Sequence, residues 1–177
     1  GYYFDGDCTM TSTLRVNELQ NLSGTSAMTI DSNGNINQPS KAAFRAYLTG
    51  DQSAPSSNTF TTVQYNAINY NIGGHYNTST YTFTTPVAGI YYFYHSYSYV
   101  ANTGSESSGI ISIQAGGATV GAVDFYIKGS NARYGSCCSA QVSLAAGVAV
   151  LAKAYGPARG ISGGDYGSSQ FFGHLVS

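Results

Sequence analysis

The sequence predicts an all-β protein. Residues that favour strands, among them 16 tyrosines, occur in short runs in which apolar and polar side chains alternate. Gly, Asn and Ser separate these runs at regular intervals, and helical periodicity is almost absent. Several short strands with regular turn signals are typical of a sandwich or a barrel.

The first 39 residues are predicted to comprise an N-terminal extension, or added residues, at 1–10 and a β-rich anchor or shaft segment at 11–39. A short strand is expected at 27–30, and the sequence Asp-Ser-Asn-Gly at 31–34 is typical of a hairpin turn. The segment contains too few apolar residues to form a core of its own. We therefore expect it to pack against the second part of the chain or against copies of itself.

Residues 40–177 are predicted to form one compact domain of strands connected by polar loops. The longest strand, 90–100, reads Ile-Tyr-Tyr-Phe-Tyr-His-Ser-Tyr-Ser-Tyr-Val and is almost continuously apolar. This composition predicts cover on both faces, by a second sheet and by a neighbouring subunit. The other strands of the domain are expected at 44–48, 63–70, 81–83, 110–114, 123–127, 140–144, 148–154 and 171–176.

The charge of the chain excludes some classes of function. Charged residues make up only 8% of it, against about 25% in a typical soluble domain. The 7 Lys and Arg and 8 Asp and Glu residues give a formal charge of -1, so no basic field is available for nucleic acid. No apolar run reaches the roughly 18 residues of a membrane-spanning helix, so no membrane insertion is expected. A weakly charged surface instead suits packing between copies.

Catalytic and metal-binding signals are weak. The sequence Gly-Ile-Ser-Gly-Gly at 160–164 matches G-x-S-x-G, but it lies in a Gly-rich stretch without the strand and helix that the motif needs. The histidines His95 and His174 fall in strands and are expected to be structural. No carboxylate pair or Cys/His spacing indicates an acid–base or zinc site. We therefore predict that the chain is not an enzyme and has no catalytic residue, metal or cofactor.

The three cysteines, Cys8, Cys137 and Cys138, do not form a disulfide framework, because their number is odd. Cys137 and Cys138 are neighbours in a strand and would point to opposite faces, so a bond between them is geometrically poor. We expect small buried hydrophobic residues, with a bond that involves Cys8 or another subunit as the alternative.

The central part of the chain resembles the globular domain of the C1q and tumour-necrosis-factor superfamily. The superfamily has a characteristic order of aromatic residues, Asn, Pro and Gly, then a closing strand with an aromatic, a Gly and a Leu. These positions fall on Tyr65, Asn71, Tyr76, Phe83, Pro86, Gly89, Tyr91 and Phe93, and on Phe172, Gly173 and Leu175. The resemblance covers about 41–177, although Tyr81 stands where the family usually has Gly.

This resemblance implies a jelly-roll sandwich that forms tight homotrimers. The tyrosine-rich strand carries more apolar surface than one sandwich needs, and a three-fold axis would bury the surplus. The expected trimer-interface or core residues are Tyr91, Phe93, Tyr97, Tyr99 and Phe172. Calcium occurs in some relatives, so a calcium ion on the trimer axis is the alternative to a domain without a metal.

The N-terminal segment gives a second resemblance. Ser-Thr-Leu-Arg-Val-Asn-Glu-Leu-Gln-Asn-Leu-Ser-Gly at 12–24, followed by Met-Thr-Ile-Asp-Ser-Asn-Gly at 28–34, is similar to the opening of many marine-phage fibre and virion proteins. Together the resemblances imply a trimeric phage appendage, a fibre or decoration protein. Its N-terminal segment would join other virion proteins, and its C-terminal domain would cap the assembly and contact host-surface glycans. The alternative is a secreted C1q-domain lectin that binds carbohydrate.

Three loops at one end of the domain are the expected ligand-binding region, namely 50–58, 101–108 and 128–135. Arg and Tyr side chains suit sugars or anionic groups, because they offer hydrogen bonds together with a flat surface. Ordinary solvated loops are the alternative interpretation. The candidate ligand-binding residues are Asp51, Asn102, Glu106, Lys128, Asn131, Arg133 and Tyr134.

Overall fold

Every regular element described in the structure, a computed structural model, is a β-strand. The chain divides into two compact units, Gly1–Pro39 and Ser40–Ser177. The described residues are 15–38, 41–53, 59–100, 107–127, 133–156, 160–164 and 169–177, without the side chains of Tyr99, Val100, Ser107, Ile127, Arg133 and Tyr134.

The first unit is a three-stranded antiparallel sheet. Its strands are β1 (Glu18–Gln20), β2 (Ser26–Ile30) and β3 (Ile36–Asn37), hydrogen-bonded in the order β1-β2-β3. The strand predicted at 27–30 is confirmed as β2. Between β2 and β3, the carboxylate of Asp31 accepts hydrogen bonds of 2.8 Å from the backbone N–H groups of Asn33 and Asn35. These bonds close the predicted turn, where Gly34 takes the positive φ of 83° that favours glycine.

None of the side chains described in this first unit is buried. Leu22 and Ile36 are largely exposed, and among residues 15–38 no second layer covers either face of the sheet. Three short strands without a buried face do not bury enough apolar surface to offset the entropy of ordering the chain. Residues 15–38 therefore do not form a hydrophobic core among themselves.

The second unit is a sandwich of two antiparallel sheets. The first sheet has the order β11-β10-β13-β8-β7, with β5 also paired to β13, and the second sheet has the order β12-β9-β15-β4-β6, with β14 also paired to β9. The strands are β4 (Ala43–Tyr47), β5 (Thr61–Thr62), β6 (Ala67–Ile72), β7 (Tyr76–Asn77), β8 (Thr82–Thr84), β9 (Gly89–Val100), β10 (Ser107–Ala115), β11 (Ala118–Ile127), β12 (Arg133–Leu144), β13 (Ala149–Tyr155), β14 (Ile161–Ser162) and β15 (Gln170–Leu175). The all-β sandwich predicted from the sequence is confirmed.

Two sequence predictions differ from the observed strands. Only residues 67–70 of the strand predicted at 63–70 are strand, as the first part of β6, because residues 63–66 carry the chain from β5 in the first sheet to β6 in the second. The strand predicted at 140–144 begins earlier, at Arg133, because β12 pairs with β9 along its whole length. Arg133 and Tyr134 were predicted in a loop and are strand residues, which corrects the end of the 128–135 loop.

The core between the two sheets is mainly aromatic. The ring of Phe44 stacks between Tyr76 and Phe83, with centroid distances of 4.9 and 4.7 Å, and meets the edge of Phe171 at 5.0 Å. All four side chains are buried. Burying a large apolar side chain contributes roughly 1.5–3 kcal/mol, so this cluster is a main source of the stability of the sandwich.

Buried tyrosine hydroxyls in this core find main-chain acceptors. Tyr65 donates to the carbonyl of Ser96 at 2.9 Å, Tyr76 donates to the carbonyl of Tyr65 at 3.0 Å, and Tyr91 donates to the carbonyl of Val87 at 2.7 Å. Burial raises the pKa of the Tyr65 and Tyr76 hydroxyls well above the usual range. These tyrosines therefore stay neutral and act as donors that connect neighbouring segments of the sandwich.

Candidate functional site

The long strand β9 presents aromatic side chains on both of its faces. Its odd-numbered residues from Tyr91 to Tyr97 are buried in the core of the sandwich. The intervening Tyr92 and Tyr94 therefore lie on the opposite face of the second sheet. Both are only partly buried within one chain, so this outer face is a partly apolar surface without a covering layer in the described part of the chain.

One row of this outer face crosses four neighbouring strands. The strand register places Tyr70 opposite Arg45, Arg45 opposite Phe172, and Phe172 opposite Tyr94. The rings of Tyr94 and Phe172 stack at a centroid distance of 4.9 Å and an angle of 24°. The result is an aromatic strip interrupted by one guanidinium group.

A second row runs parallel to the first. It contains Ile72, Ala43, His174 and Tyr92 on successive strands. The rings of Tyr92 and His174 lie 5.7 Å apart. On the edge strand β6, Tyr70 and Ile72 are 45% and 46% exposed, which is high for large apolar side chains. The two rows together form one continuous surface.

Arg45 holds a fixed position in the middle of this surface. Its Nε–H group donates a hydrogen bond of 2.9 Å to the side-chain oxygen of Gln170. Arg45, Gln170, Tyr70 and Phe172 line an open depression of about 370 Å³. A planar guanidinium between aromatic side chains is an arrangement that is enriched in protein interfaces. We call the set Arg45, Tyr70, Ile72, Tyr92, Tyr94, Gln170 and Phe172 the assembly face.

A second depression, of about 330 Å³, lies beside the assembly face. The residues that line it are Tyr94, Ser96, Tyr97, Ser98, Gly135, Ser136, Cys137 and Gln170. A hydrogen bond with Cys137 and then partial burial raise the pKa of the Tyr94 hydroxyl. The depression is open and shallow, so it is part of the surface rather than an enclosed ligand cavity.

Comparison with known proteins identifies the sandwich. The profile of the C1q domain matches residues 43–176. The chain belongs to the C1q domain family. The two-sheet sandwich is therefore a C1q domain. The match begins after the first unit and does not include it. No curated protein matches the chain in sequence.

Two solved structures share the fold of this sandwich. The globular domain of zebrafish complement 1qA protein superposes with a TM-score of 0.51 at 20% sequence identity, over 77% of this chain and 98% of that one. The structure of Eiger TNF from S. frugiperda superposes with a TM-score of 0.59 at 12% identity, over 77% and 93%. At these identities the likeness establishes the fold. C1q and TNF-like domains are in general homotrimeric, non-enzymatic binding modules that are typically extracellular.

The structure divides the residues predicted for the trimer interface or the core. Tyr91, Phe93 and Tyr97 point inward and are buried in the core of the single chain. Phe172 lies on the assembly face. The backbone of Tyr99 pairs with Ile161 of β14, and its side chain is outside the described part of the structure.

The predicted ligand-binding residues fall mostly outside the described residues. This applies to Asn102, Glu106, Lys128 and Asn131, and to the side chains of Arg133 and Tyr134. Asp51 is described and exposed, and its carboxylate accepts a hydrogen bond of 2.9 Å from the backbone N–H of Gly163. Asp51 therefore connects two loop segments, and the ligand-binding role of this set stays a prediction.

Sequence reasoning missed most of the assembly face. Tyr92 and Tyr94 belong to the same tyrosine-rich strand as the predicted residues, but they alternate with them and lie on its other face. The required signal was available, because Phe93 and Tyr91 match core positions of the C1q pattern and the residues between them must face outward. Arg45 and Tyr70 had no comparable signal, since only the register of β4, β6 and β15 brings them together.

The two described cysteines differ in their surroundings. Cys138 is buried, and burial raises its pKa to about 12. Cys137 is exposed on the face of the second sheet that carries Tyr94, so the expectation of a buried side chain is wrong for Cys137. Both thiols are free, and Cys8 is outside the described residues.

Ser162, the central residue of the G-x-S-x-G match, lies in β14 and is buried. It therefore does not occupy the exposed strand-to-helix turn that a nucleophile of this motif requires. Among the described residues, no group of three or more His, Cys, Asp or Glu side chains is placed to hold a metal ion. The same part of the chain has no helix long and apolar enough to span a membrane.

Proposed function

We propose that three copies of the chain assemble through the assembly face into an extracellular, non-enzymatic binding module, and that this module is an appendage of a phage virion. The observation that carries the assembly is the aromatic row of Tyr70, Arg45, Phe172 and Tyr94 on a sheet face that no described residue covers with a further layer. The membership in the C1q family supports three-fold symmetry.

The composition of the assembly face favours burial between copies. Removing a partly exposed aromatic or aliphatic side chain from water contributes up to about 1.5–3 kcal/mol. Tyr70 and Ile72 are nearly half exposed and stand on an edge strand, where a neighbouring copy reaches them without rearrangement of the sandwich. Aromatic residues and arginine are also the residue types that contribute most to protein interfaces.

Arg45 is compatible with such burial because its charge is already partly satisfied. Gln170 accepts the Nε–H hydrogen, and the remaining guanidinium hydrogens face the open depression. Backbone carbonyl or hydroxyl oxygens of a neighbouring copy are the partners that would complete its hydrogen bonding. This requirement gives the interface a fixed register as well as apolar contact.

The first unit supports the virion part of the proposal. Residues 15–38 bury none of their described side chains and present two unpaired sheet edges, β1 and β3. Such a segment becomes stable when three chains bring their copies together, or when it pairs with another virion protein. Its resemblance to the opening of phage fibre proteins favours this arrangement over a secreted lectin, whose C1q domain would assemble in the same way.

The assembly is tested by native mass spectrometry of the full chain and of the Ile72→Asp variant. We expect a trimer for the wild type and a dissociation constant more than about a hundredfold larger for the variant, since a carboxylate on a buried interface lacks a partner. Ala122→Asp, an exposed position on the outer face of the first sheet, is the matched control and should stay trimeric. A monomeric wild type, or an unchanged Ile72→Asp trimer, would contradict the assembly.

The virion role is tested by electron microscopy of particles labelled with an antibody against the C1q domain. Label at a tail or surface appendage is the expected result. Unlabelled particles, with the chain found only in the surrounding medium, would instead favour the secreted lectin.

A further inference from the structure

The first sheet carries a second surface that the assembly does not use. At one end of its outer face, strands β10, β11 and β13 and the residue that precedes β5 bring together Phe60, Ile110, Asp124, Tyr126, Lys153 and Tyr155. We call these six residues the outer patch. The patch lies on the sheet opposite the assembly face, so it stays accessible when three copies pack through the second sheet.

The strand registers place these side chains on one face. Asp124 is opposite Ile110, and Ile110 is opposite Tyr155, so the three form one row across β11, β10 and β13. Their neighbours Val123, Phe125 and Ile111 point into the core or pack against it. Lys153 precedes Tyr155 by two residues in β13, so it lies on the same face of the sheet, opposite Thr62.

The patch combines aromatic rings with one charge of each sign. Tyr126, two residues beyond Asp124, is 61% exposed, which is high for a tyrosine in a strand. Tyr155 is partly exposed and its ring lies 5.2 Å from that of Phe60, at an angle of 45°. From strand spacings, Tyr126 and Tyr155 are separated by about 10 Å across the sheet and about 7 Å along it.

The formal charge of the patch is zero, from one carboxylate and one ammonium group. In the part of the C1q domain that the structure describes, the only other charged side chains are Lys41, Arg45 and Asp51. Asp124 is two residues from Tyr126 and Lys153 is two residues from Tyr155, and strand spacings separate the two charged residues by about 12 Å. This combination of charged and aromatic side chains marks the patch as different from the rest of the first sheet.

We propose that the outer patch binds neutral saccharides. The faces of pyranose rings carry C–H groups that pack on aromatic rings such as those of Tyr126 and Tyr155. Sugar hydroxyls both donate and accept hydrogen bonds, so one ring of an oligosaccharide can donate to the Asp124 carboxylate while another ring accepts from the Lys153 ammonium group. A neutral ligand fits because the patch offers no net charge to an anionic or cationic one.

This inference depends on the proposed function in one respect, namely that assembly through the second sheet leaves the outer face of the first sheet free. It assigns the binding to a sheet surface instead of the loops that sequence reasoning selected. The patch adjoins the ends of β10 and β11, and therefore the points where the chain enters the segments 101–106 and 128–132.

The test is binding of the full chain to an array of defined neutral oligosaccharides, with sialylated and sulfated ones beside them. We expect the wild type to bind neutral members. Tyr126→Ala should bind them at least about tenfold more weakly, because ring stacking contributes about 1 kcal/mol or more. Asp124→Asn should weaken binding similarly. Tyr126→Phe, which keeps the ring, and Thr84→Ala, at the other end of the same sheet, should bind like the wild type.

Three results would overturn the proposal: no binding to neutral saccharides, binding to anionic ones alone, or neutral binding that Tyr126→Ala leaves unchanged. Native masses of the same samples separate this proposal from the assembly. A trimer that does not bind saccharides would contradict the saccharide proposal and leave the assembly proposal standing. A monomer whose saccharide binding depends on Tyr126 would contradict the assembly proposal and support the saccharide proposal. Because Tyr126 is exposed, its substitution leaves the core intact, and unchanged thermal unfolding of the variant checks this.

Discussion

The side-chain amide of Asn71 exchanges two hydrogen bonds with the backbone of Tyr76. Its NH₂ group donates to the carbonyl of Tyr76 at 2.8 Å, and its oxygen accepts from the N–H of Tyr76 at 3.0 Å. The amide thus imitates a strand partner across the turn from β6 to β7, at the point where the chain passes from the second sheet to the first. This gives the Asn and Tyr of the C1q pattern a physical role.

Replacing Asn71 by Ala should destabilise the domain by about 1–3 kcal/mol, because two partly buried backbone groups lose their partner. Asn71→Asp should be intermediate, since a carboxylate keeps the acceptor and loses the donor. The measurement is urea unfolding followed by far-UV circular dichroism. Asn69→Ala, an exposed position in the same strand, is the control and should change stability by less than about 0.5 kcal/mol. Equal effects at both positions would show that the amide bridge contributes nothing.

Tyr81 occupies the left-handed region with φ of 58°, at the position where C1q domains usually have Gly. A side chain costs about 1–2 kcal/mol in this conformation, and glycine does not. We therefore expect Tyr81→Gly to be more stable than Tyr81→Ala by about 1 kcal/mol, since both lose the same ring contacts and only Gly relieves the backbone. Thermal and urea unfolding of the two variants measures this difference. A more stable Ala variant would mean that the backbone at this position is not strained.

His95 makes the domain sensitive to acid. The side chain is completely buried, and its Nδ1 lies 3.2 Å from the carbonyl oxygen of Ser112. Nε2 has no hydrogen-bond partner among the described residues, and the rings of Tyr65 and Phe171 lie against the imidazole. Burial lowers the pKa of His95 to about 4, so the folded chain keeps this imidazole neutral.

In the unfolded chain a histidine has a pKa of about 6.5, so acidification protonates the unfolded state first. Stability should therefore fall as the pH is lowered from about 6.5 to about 4, by roughly 3 kcal/mol from this group. Urea unfolding at a series of pH values tests the slope. His95→Gln should lose most of this pH dependence, and His174→Gln, at an exposed position, should keep it. The same slope in His95→Gln and the wild type would exclude His95 as its source.

The sequence predicts the strands of the sandwich better than the surfaces that they form. The long strand at 90–100 could be predicted because aromatic residues occupy both of its faces. The first half of β12 could not, because Gly135 disfavours a strand, Ser136 does not favour one, and both are held by pairing with β9. Cross-strand neighbours such as Arg45 and Phe172 are 127 positions apart in the chain, so only the register brings them together.

The two described thiols should react at very different rates. In a Cys8→Ser, Cys137→Ser background, the remaining Cys138 is buried, and its raised pKa leaves little reactive thiolate at neutral pH. We expect an aromatic disulfide reagent to label it only as fast as the domain unfolds. In a Cys8→Ser, Cys138→Ala background, the exposed Cys137 should react rapidly in the monomer and more slowly in the trimer. Fast labelling of Cys138 in the folded chain would contradict its burial.

The first unit should depend on assembly for its structure. A peptide of residues 1–39 at micromolar concentration should show no β signal by circular dichroism, because none of its described side chains is buried. Within the full chain, a C1q trimer would hold three such segments at an effective concentration in the millimolar range, which favours their association. Hydrogen exchange at β2 should therefore be slow in the trimer and fast in Ile72→Asp. Protection of β2 that is equal in trimer and monomer would show that this unit is stable by itself.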